Sequence, residues 1–169
     1  MKNKINIRFI IFIALVLVIA IFGIVVIVKS VKAKSGYKEI TPEQYISIVK
    51  KEGYNINDIT NSLTSYSYIK NAVMAVSKDG SYEIEYYKFE DEDSAFNFLD
   101  NKKMAISMLV GENGIFQDED NDKYAKYSRE TDTYYCIVFK IGTTVICSDV
   151  RVAQKDDVNK VLSKLGYMN

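Results

Sequence analysis

The chain has 169 residues with 22 basic and 22 acidic side chains, 13 tyrosines, two cysteines, no tryptophan and no histidine. The lack of histidine removes Ser-His-Asp triads, Cys-His pairs and the commonest metal ligand together. Its formal neutrality conceals a division, because every acidic residue follows residue 36 while six basic ones precede it. The first 36 residues therefore carry +6, and the remaining 16 bases against 22 acids leave −6. An acidic domain repels phosphate backbones and this one carries no helix-turn-helix or RNA-binding aromatic motif, so no nucleic-acid partner is expected.

The first element is an apolar run, Phe9 to Val28, free of charge, amide and hydroxyl. At about 1.5 Å of rise per residue it makes a helix of roughly 30 Å, the thickness of a hydrocarbon core. Residues 1–8 then form a short basic tail, 9–28 a transmembrane signal-anchor, 29–36 a basic juxtamembrane linker and 37–169 an acidic extracytoplasmic domain. The lipid bilayer is the partner of Phe9 to Val28, and Lys29, Lys32 and Lys34 sit where anionic headgroups would meet them. Lys2, Lys4 and Arg8 before the span nearly balance the lysines after it, so orientation follows from the tendency of short basic tails to stay cytoplasmic. The localisation expected is a cell membrane, single-pass, with the C-terminal domain outside. The alternative is a secreted domain, cleaved at Val31-Lys32-Ala33 or Ala33-Lys34-Ser35, but the run exceeds the usual h-region of about 7–15 residues. Cys136 and Cys147 lie too far along the chain to accept a lipid.

Thr41 is a helix N-cap, Pro42 suits the first turn, Gln44 completes a capping box, and Gly53 is the stop. Ile40 and Tyr45 form the hydrophobic staple. Period-two alternation from Asn71 to Phe89 predicts a hairpin about Lys78-Asp79-Gly80; a two-residue Asp-Gly turn sets Val76 and Met74 opposite Glu83 and Glu85, and a three-residue loop, favoured because it buries matched faces, sets them opposite Tyr82 and Ile84. The acids Glu90 to Asp93 open a second helix, which Ala95, Phe96, Phe98, Leu99, Lys102 and Ile106 continue. Gly111 to Asp122 reads as an acidic loop. Strands follow near Lys123–Glu130, Tyr134–Ile141 and Thr143–Val150, the last two joined at Gly142. The final helix, about Asp156 to Leu165, repeats Val158, Val161, Leu162 and Leu165 before Gly166. The fold class is α+β, order α-β-β-α-β-β-β-α, with a mostly antiparallel sheet of about five strands and helices packed on one face.

In the last hairpin Cys136 and Cys147 fall on one face with Lys140 and Asp149, within reach of a disulfide in an exported domain. Ile137, Phe139, Ile141, Ile146 and Val150 form the opposite, core-facing set. Two cysteines without histidine make a poor zinc site. Ser47-x-x-Lys50 is similar to the Ser-x-x-Lys pattern of penicillin-binding enzymes, with Lys140-Ile141-Gly142 as a loose counterpart of their Lys-Thr-Gly strand. Ser67-x-x-Lys70 and Ser35-x-x-Lys38 match it as well, which is what a Ser- and Lys-rich chain gives by chance. Asp118, Asp120 and Asp122 alternate as in half a calcium loop, but Lys123 replaces the glycine and Arg129 the bidentate glutamate. No phosphate-cradling glycine pattern occurs. Tyr87, Tyr124, Tyr127 and Tyr134 are candidates for an outward, ring-lined binding surface. The richness in Lys, Ile, Asn and Tyr is similar to that of a low-GC Gram-positive bacterium. No cofactor, metal or catalytic residue is assigned. The expectation is a non-catalytic, membrane-anchored domain binding a protein or cell-envelope partner, with a tethered enzyme using Ser-Lys or carboxylate chemistry as the alternative.

Overall fold

A capping box opens the first helix, α1 (Pro42–Lys51): Thr41 Oγ1 accepts from the Gln44 amide at 3.3 Å, and Gln44 Oε1 accepts from the Thr41 amide at 2.9 Å. Ile40 and Tyr45 enter the same apolar cluster, as the staple requires. The computed structural model describes residues 37–111, 114–121 and 124–168. The run Phe9–Val28, its lysine-rich flank and the expected membrane span lie outside them. No helix among the described residues is long and apolar enough to cross a membrane.

After α1 come β1 (Asn55–Asp58), a single 3-10 turn (Thr60–Leu63), β2 (Ile69–Val76), β3 (Glu83–Phe89) and α2 (Glu92–Val110). β4 (Ile115–Asn121), β5 (Tyr124–Glu130), β6 (Tyr134–Ile141) and β7 (Thr144–Arg151) follow, and α3 (Lys155–Lys164) ends the domain. All seven strands form one antiparallel sheet in the order β1-β2-β3-β7-β6-β5-β4. The class is α+β, with two more strands than the five expected. β1 reads Asn-Ile-Asn-Asp and β4 reads Ile-Phe-Gln-Asp-Glu-Asp-Asn; both are edge strands, and their polarity hid them. Charge on an edge discourages pairing with a second molecule, so the composition that resembles a loop suits this position.

The helices do not share a face. Tyr45 and Val49 of α1 join Val158, Val161 and Leu162 of α3 over Val73, Ala75, Ile84, Tyr86, Ile137, Phe139 and Ile146. On the other side Ala95, Leu99 and Ile106 of α2 cover Ala72, Tyr87, Phe89, Ala125, Tyr127, Val138, Val145 and both cysteines. The sheet is thus buried on both faces, which explains why β6 is a nearly continuous apolar run, buried at seven of eight positions. Burying both faces also relaxes the register argument. Val76 lies opposite Glu83 and Met74 opposite Glu85, one residue away from the expected pairing. Val73 and Ala75 then match Tyr86 and Ile84 over the α1–α3 side. A four-residue loop makes this register, with Asp79 Oδ1 accepting from Ser77 Oγ, Ser81 Oγ and the Ser81 amide.

Two buried hydroxyls tie the α1 segment to the sheet. Tyr45 donates to the Ile84 carbonyl at 2.6 Å, Tyr86 donates to the Ile40 carbonyl at 2.9 Å, and their rings stack with centroids 5.0 Å apart. Beside them Glu39 Oε1 accepts from Lys88 Nζ, the Thr143 amide and Thr143 Oγ1. Burial alone would raise the Glu39 pKa, but these donors outweigh it and hold the carboxyl below its ordinary value.

Candidate functional site

The two-sided burial of the sheet removes the tyrosine surface expected from the sequence. Tyr87, Tyr124 and Tyr127 are buried and Tyr134 is half-buried. Tyr87, Tyr127 and Tyr134 belong to the cluster beneath α2, and Tyr124 stacks on Tyr37 with ring centroids 4.1 Å apart. Tyr87 and Tyr127, assigned to solvent on the assumption of an open face, are core once α2 covers that face, whereas Tyr124 is buried in the cluster on the α1–α3 side.

The same helix covers the cysteines. Cys136 pairs with Asp149 and Val138 with Cys147, so the two thiols share a face but are displaced by one pleat. Both are free and buried. Diagonal neighbours across an antiparallel pair lie about 7–8 Å apart, beyond the usual disulfide range of about 4.4–6.8 Å between Cα atoms. Lys102 reaches down from α2 to Glu85 Oε2 at 2.9 Å, and Cys147 Sγ donates to the same oxygen at 3.1 Å. Burial would raise Glu85, yet Lys102 and the donors to its carboxylate keep it below its ordinary pKa. Burial and Glu85 push the Cys147 thiol well up, and burial with Asp149 lifts Cys136 to about 12. A buried thiol held protonated is a poor nucleophile and a poor metal ligand. Asp149 also faces Lys102 and Glu85, and burial raises its carboxyl, so a single lysine serves two carboxylates beneath the helix.

Ser-Lys chemistry is not assembled. Ser47 and Lys50 are exposed on the outer side of α1, whereas Lys140 is buried with the strand residues on the α2 side and lies 3.8 Å from Glu92. The sheet stands between them. Lys70 of the second Ser-x-x-Lys match pairs with Glu90 at 3.3 Å, and Ser35 of the third lies outside the described residues. Asp118 and Asp120 fall on the exposed edge strand β4, with Asp118 held by Lys103 at 2.8 Å; Asp122 is outside the described residues. Among the described residues no group of three or more His, Cys, Asp or Glu is placed to hold a metal ion.

Two other features stand out. The first is a group of large apolar side chains, each more than half exposed: Met104, Met108 and Leu109 on the last two turns of α2, and Phe116 at the start of β4; the equally exposed Ile115 points to the α3 side of the sheet, beside Glu130, Tyr135 and Lys155. Arg129 joins these elements, donating to the Gly111 carbonyl and lying over the Phe116 ring. β4 ends the sheet, so its outer edge has no strand partner among the described residues. Sequence periodicity extends α2 only to Ile106. Three apolar residues off the buried stripe at the end of an amphipathic helix are the signal that would have marked this surface.

The second feature is a cleft of about 550 Å³ between the end of α1, the β2–β3 loop and α3. Tyr54 and Tyr82 form one corner, their rings nearly perpendicular at 81° and their hydroxyls 2.6 Å apart. Asp157 and Lys160 of α3 and Lys78 of the loop complete the rim. Nothing in the spacing of these residues foretold the cleft, which exists only once the hairpin folds beside the two helices.

No family model matches the chain, and no curated protein matches it. Among solved structures, one described as a GTP binding regulator from Thermotoga maritima is similar at a TM-score of 0.41. The identity is 13%, over 77% of this chain and 90% of that one. A likeness of that extent carries no inference about what this chain binds.

Proposed function

We propose that this chain is a single-pass, membrane-anchored bacterial protein whose extracytoplasmic α+β domain, residues 37–169, is non-catalytic and binds a protein partner. The observation that carries the binding reading is the group of exposed apolar side chains on the α2 side of the sheet, Met104, Met108 and Leu109 of α2 with Phe116 of β4, next to a sheet edge that has no strand partner among the described residues. A contiguous apolar surface in water is costly unless something covers it, and methionines adapt to irregular partners. The tether is supported by the length and purity of the run Phe9–Val28. The non-catalytic reading is supported by the lack of histidine and by the engagement of Lys102 with Glu85 beneath α2.

Two measurements on cells test this. A photo-crosslinking amino acid at Met108 is expected to trap a discrete protein adduct that the same probe at Ser47, on the outer side of α1, does not. Protease added to intact cells is expected to digest residues 37–169. Identical adduct patterns at both positions overturn the binding surface, and protection until the membrane is breached overturns the orientation.

A further inference from the structure

The cleft at the end of α1 has an arrangement of charge that selects a ligand class. Its acidic residues are not equivalent. Glu52 is held by Lys164 at 2.5 Å and Lys160 at 3.6 Å, and Asp79 is occupied by the two serines of its own loop. That leaves Asp157 on the α3 side and Lys78 on the loop side, each without an ion-pair partner among the described residues. Between them stand the Tyr54 and Tyr82 rings, both half-buried. The negative faces of aromatic rings attract cations within about 6 Å of the ring centroid, and two rings at right angles make two walls of an aromatic cage. The hydroxyl pair uses one of its two protons internally, so the other remains free to donate.

The corner is preorganised. The Tyr54 amide donates to the Val49 carbonyl as α1 closes, with Gly53 at φ +89° just before it. Tyr82 is fixed against Ser77, whose amide donates to its carbonyl at 2.9 Å and whose Oγ accepts from its amide at 3.2 Å. Both hydroxyls have pKa values above the ordinary tyrosine value, chiefly through burial, and Asp157 adds to the shift at each, so the rings stay neutral beside a carboxylate. The volume, about 550 Å³, falls in the usual range of about 300–1,000 Å³ for small-molecule sites.

We propose that this cleft binds a small zwitterion, its organic ammonium group seated in the Tyr54–Tyr82 corner against Asp157 and its anionic group meeting Lys78. The proposal extends the reading of residues 37–169 as a binding domain to a second site, and uses none of the residues of the Met108–Phe116 surface.

The test uses the full chain in a nonionic maltoside micelle, titrated with glycine betaine and followed by the amide resonances of Gly53, Tyr54 and Tyr82. Saturable shifts are expected at these positions. 3,3-Dimethylbutanoate, which has the same shape and carboxylate but carbon in place of the ammonium nitrogen, is expected to give none. Asp157→Asn is expected to weaken betaine binding at least tenfold, and Lys78→Met several-fold, with amide spectra unchanged away from the cleft. Both substitutions are at exposed positions and leave the core intact. The proposal is overturned if betaine gives no saturable shift, if dimethylbutanoate binds equally well, or if either variant binds betaine like the parent chain. A missing betaine response with the Met108 adduct still present refutes the cleft alone; a betaine response without the adduct refutes the protein-binding surface alone.

Discussion

Replacing Lys102 by Met separates the charge beneath α2 from the packing around it. The side chain keeps its apolar stem but loses the ammonium 2.9 Å from Glu85, leaving that carboxylate with the Cys147 thiol and the Tyr87 hydroxyl as donors. Removing one partner of a buried pair costs about 3–5 kcal/mol. The two side chains retain 22% and 17% exposure, so a loss of about 3 kcal/mol at pH 7, the lower end of that range, is expected. The pH dependence supplies the sharper check. In the parent chain Glu85 is depressed, so its contribution is present above the unfolded carboxylate pKa and is lost as pH falls through the folded value. Without Lys102, burial dominates and the folded pKa rises above the unfolded one. The Lys102→Met variant therefore regains stability as pH drops from 7 towards about 5, where the parent does not. Adding Glu85→Gln should recover part of the loss at pH 7, since the charge closest to Lys102 is removed while Asp149, which Lys102 also faces, keeps its own. Urea unfolding of residues 37–169, followed by far-ultraviolet circular dichroism at both pH values, gives the measurement. A loss below about 1 kcal/mol, far under the buried-pair range, would refute the reasoning, as would an equal loss at pH 5 and pH 7.

Three further outcomes follow from the geometry. Gly142 has φ +55° and a methyl group there would stand 3.1 Å from Glu39 Oε2, so Gly142→Ala should cost about 1–2 kcal/mol, read as a lowered thermal midpoint. Glu39 is depressed below 4.5 by Lys88 and Thr143 against the opposing effect of burial; its contribution is full above that value and fades as pH falls through the folded pKa. Glu39→Gln should remove that acid-side slope at a cost of about 1 kcal/mol or less at pH 7, because the site is part-exposed. Cys136 and Cys147 should resist a thiol reagent at pH 8 in the native domain and titrate as two thiols per chain in denaturant; no reactive thiol after unfolding would mean that the diagonal pair had closed.

The helices were legible because their signals are local. Thr41, Pro42 and Gln44 specify one helix start, and Val158, Val161 and Leu162 specify one buried stripe, whatever lies beyond them. Strand faces are a different matter, because burial of a strand side chain depends on what lies over the sheet. Lys140 and Asp149 marked one face of the last hairpin as polar. Lys140 is nevertheless buried, because α2 lies over that face and Glu92 at its first turn offers a carboxylate. The same cover turned Tyr87 and Tyr127 from candidate contacts into core, and shifting β2 by one residue exposed no apolar set because each face has a helix. The β4 edge escaped notice because its consecutive acids, Asp118, Glu119 and Asp120, leave it without the apolar face by which strands are recognised.

The Glu39 hydrogen bonds also decide how the domain bears mechanical load. A pull on the chain at Tyr37 meets Glu39 two residues later, and from there passes to Thr143, between β6 and β7, and to Lys88 on β3. β7 is the middle strand of seven, flanked by β3 and β6. Tension entering at the N-terminal end of the domain is therefore delivered to the centre of the sheet, where strands have neighbours on both sides, while the edges β1 and β4 stay outside the line of force.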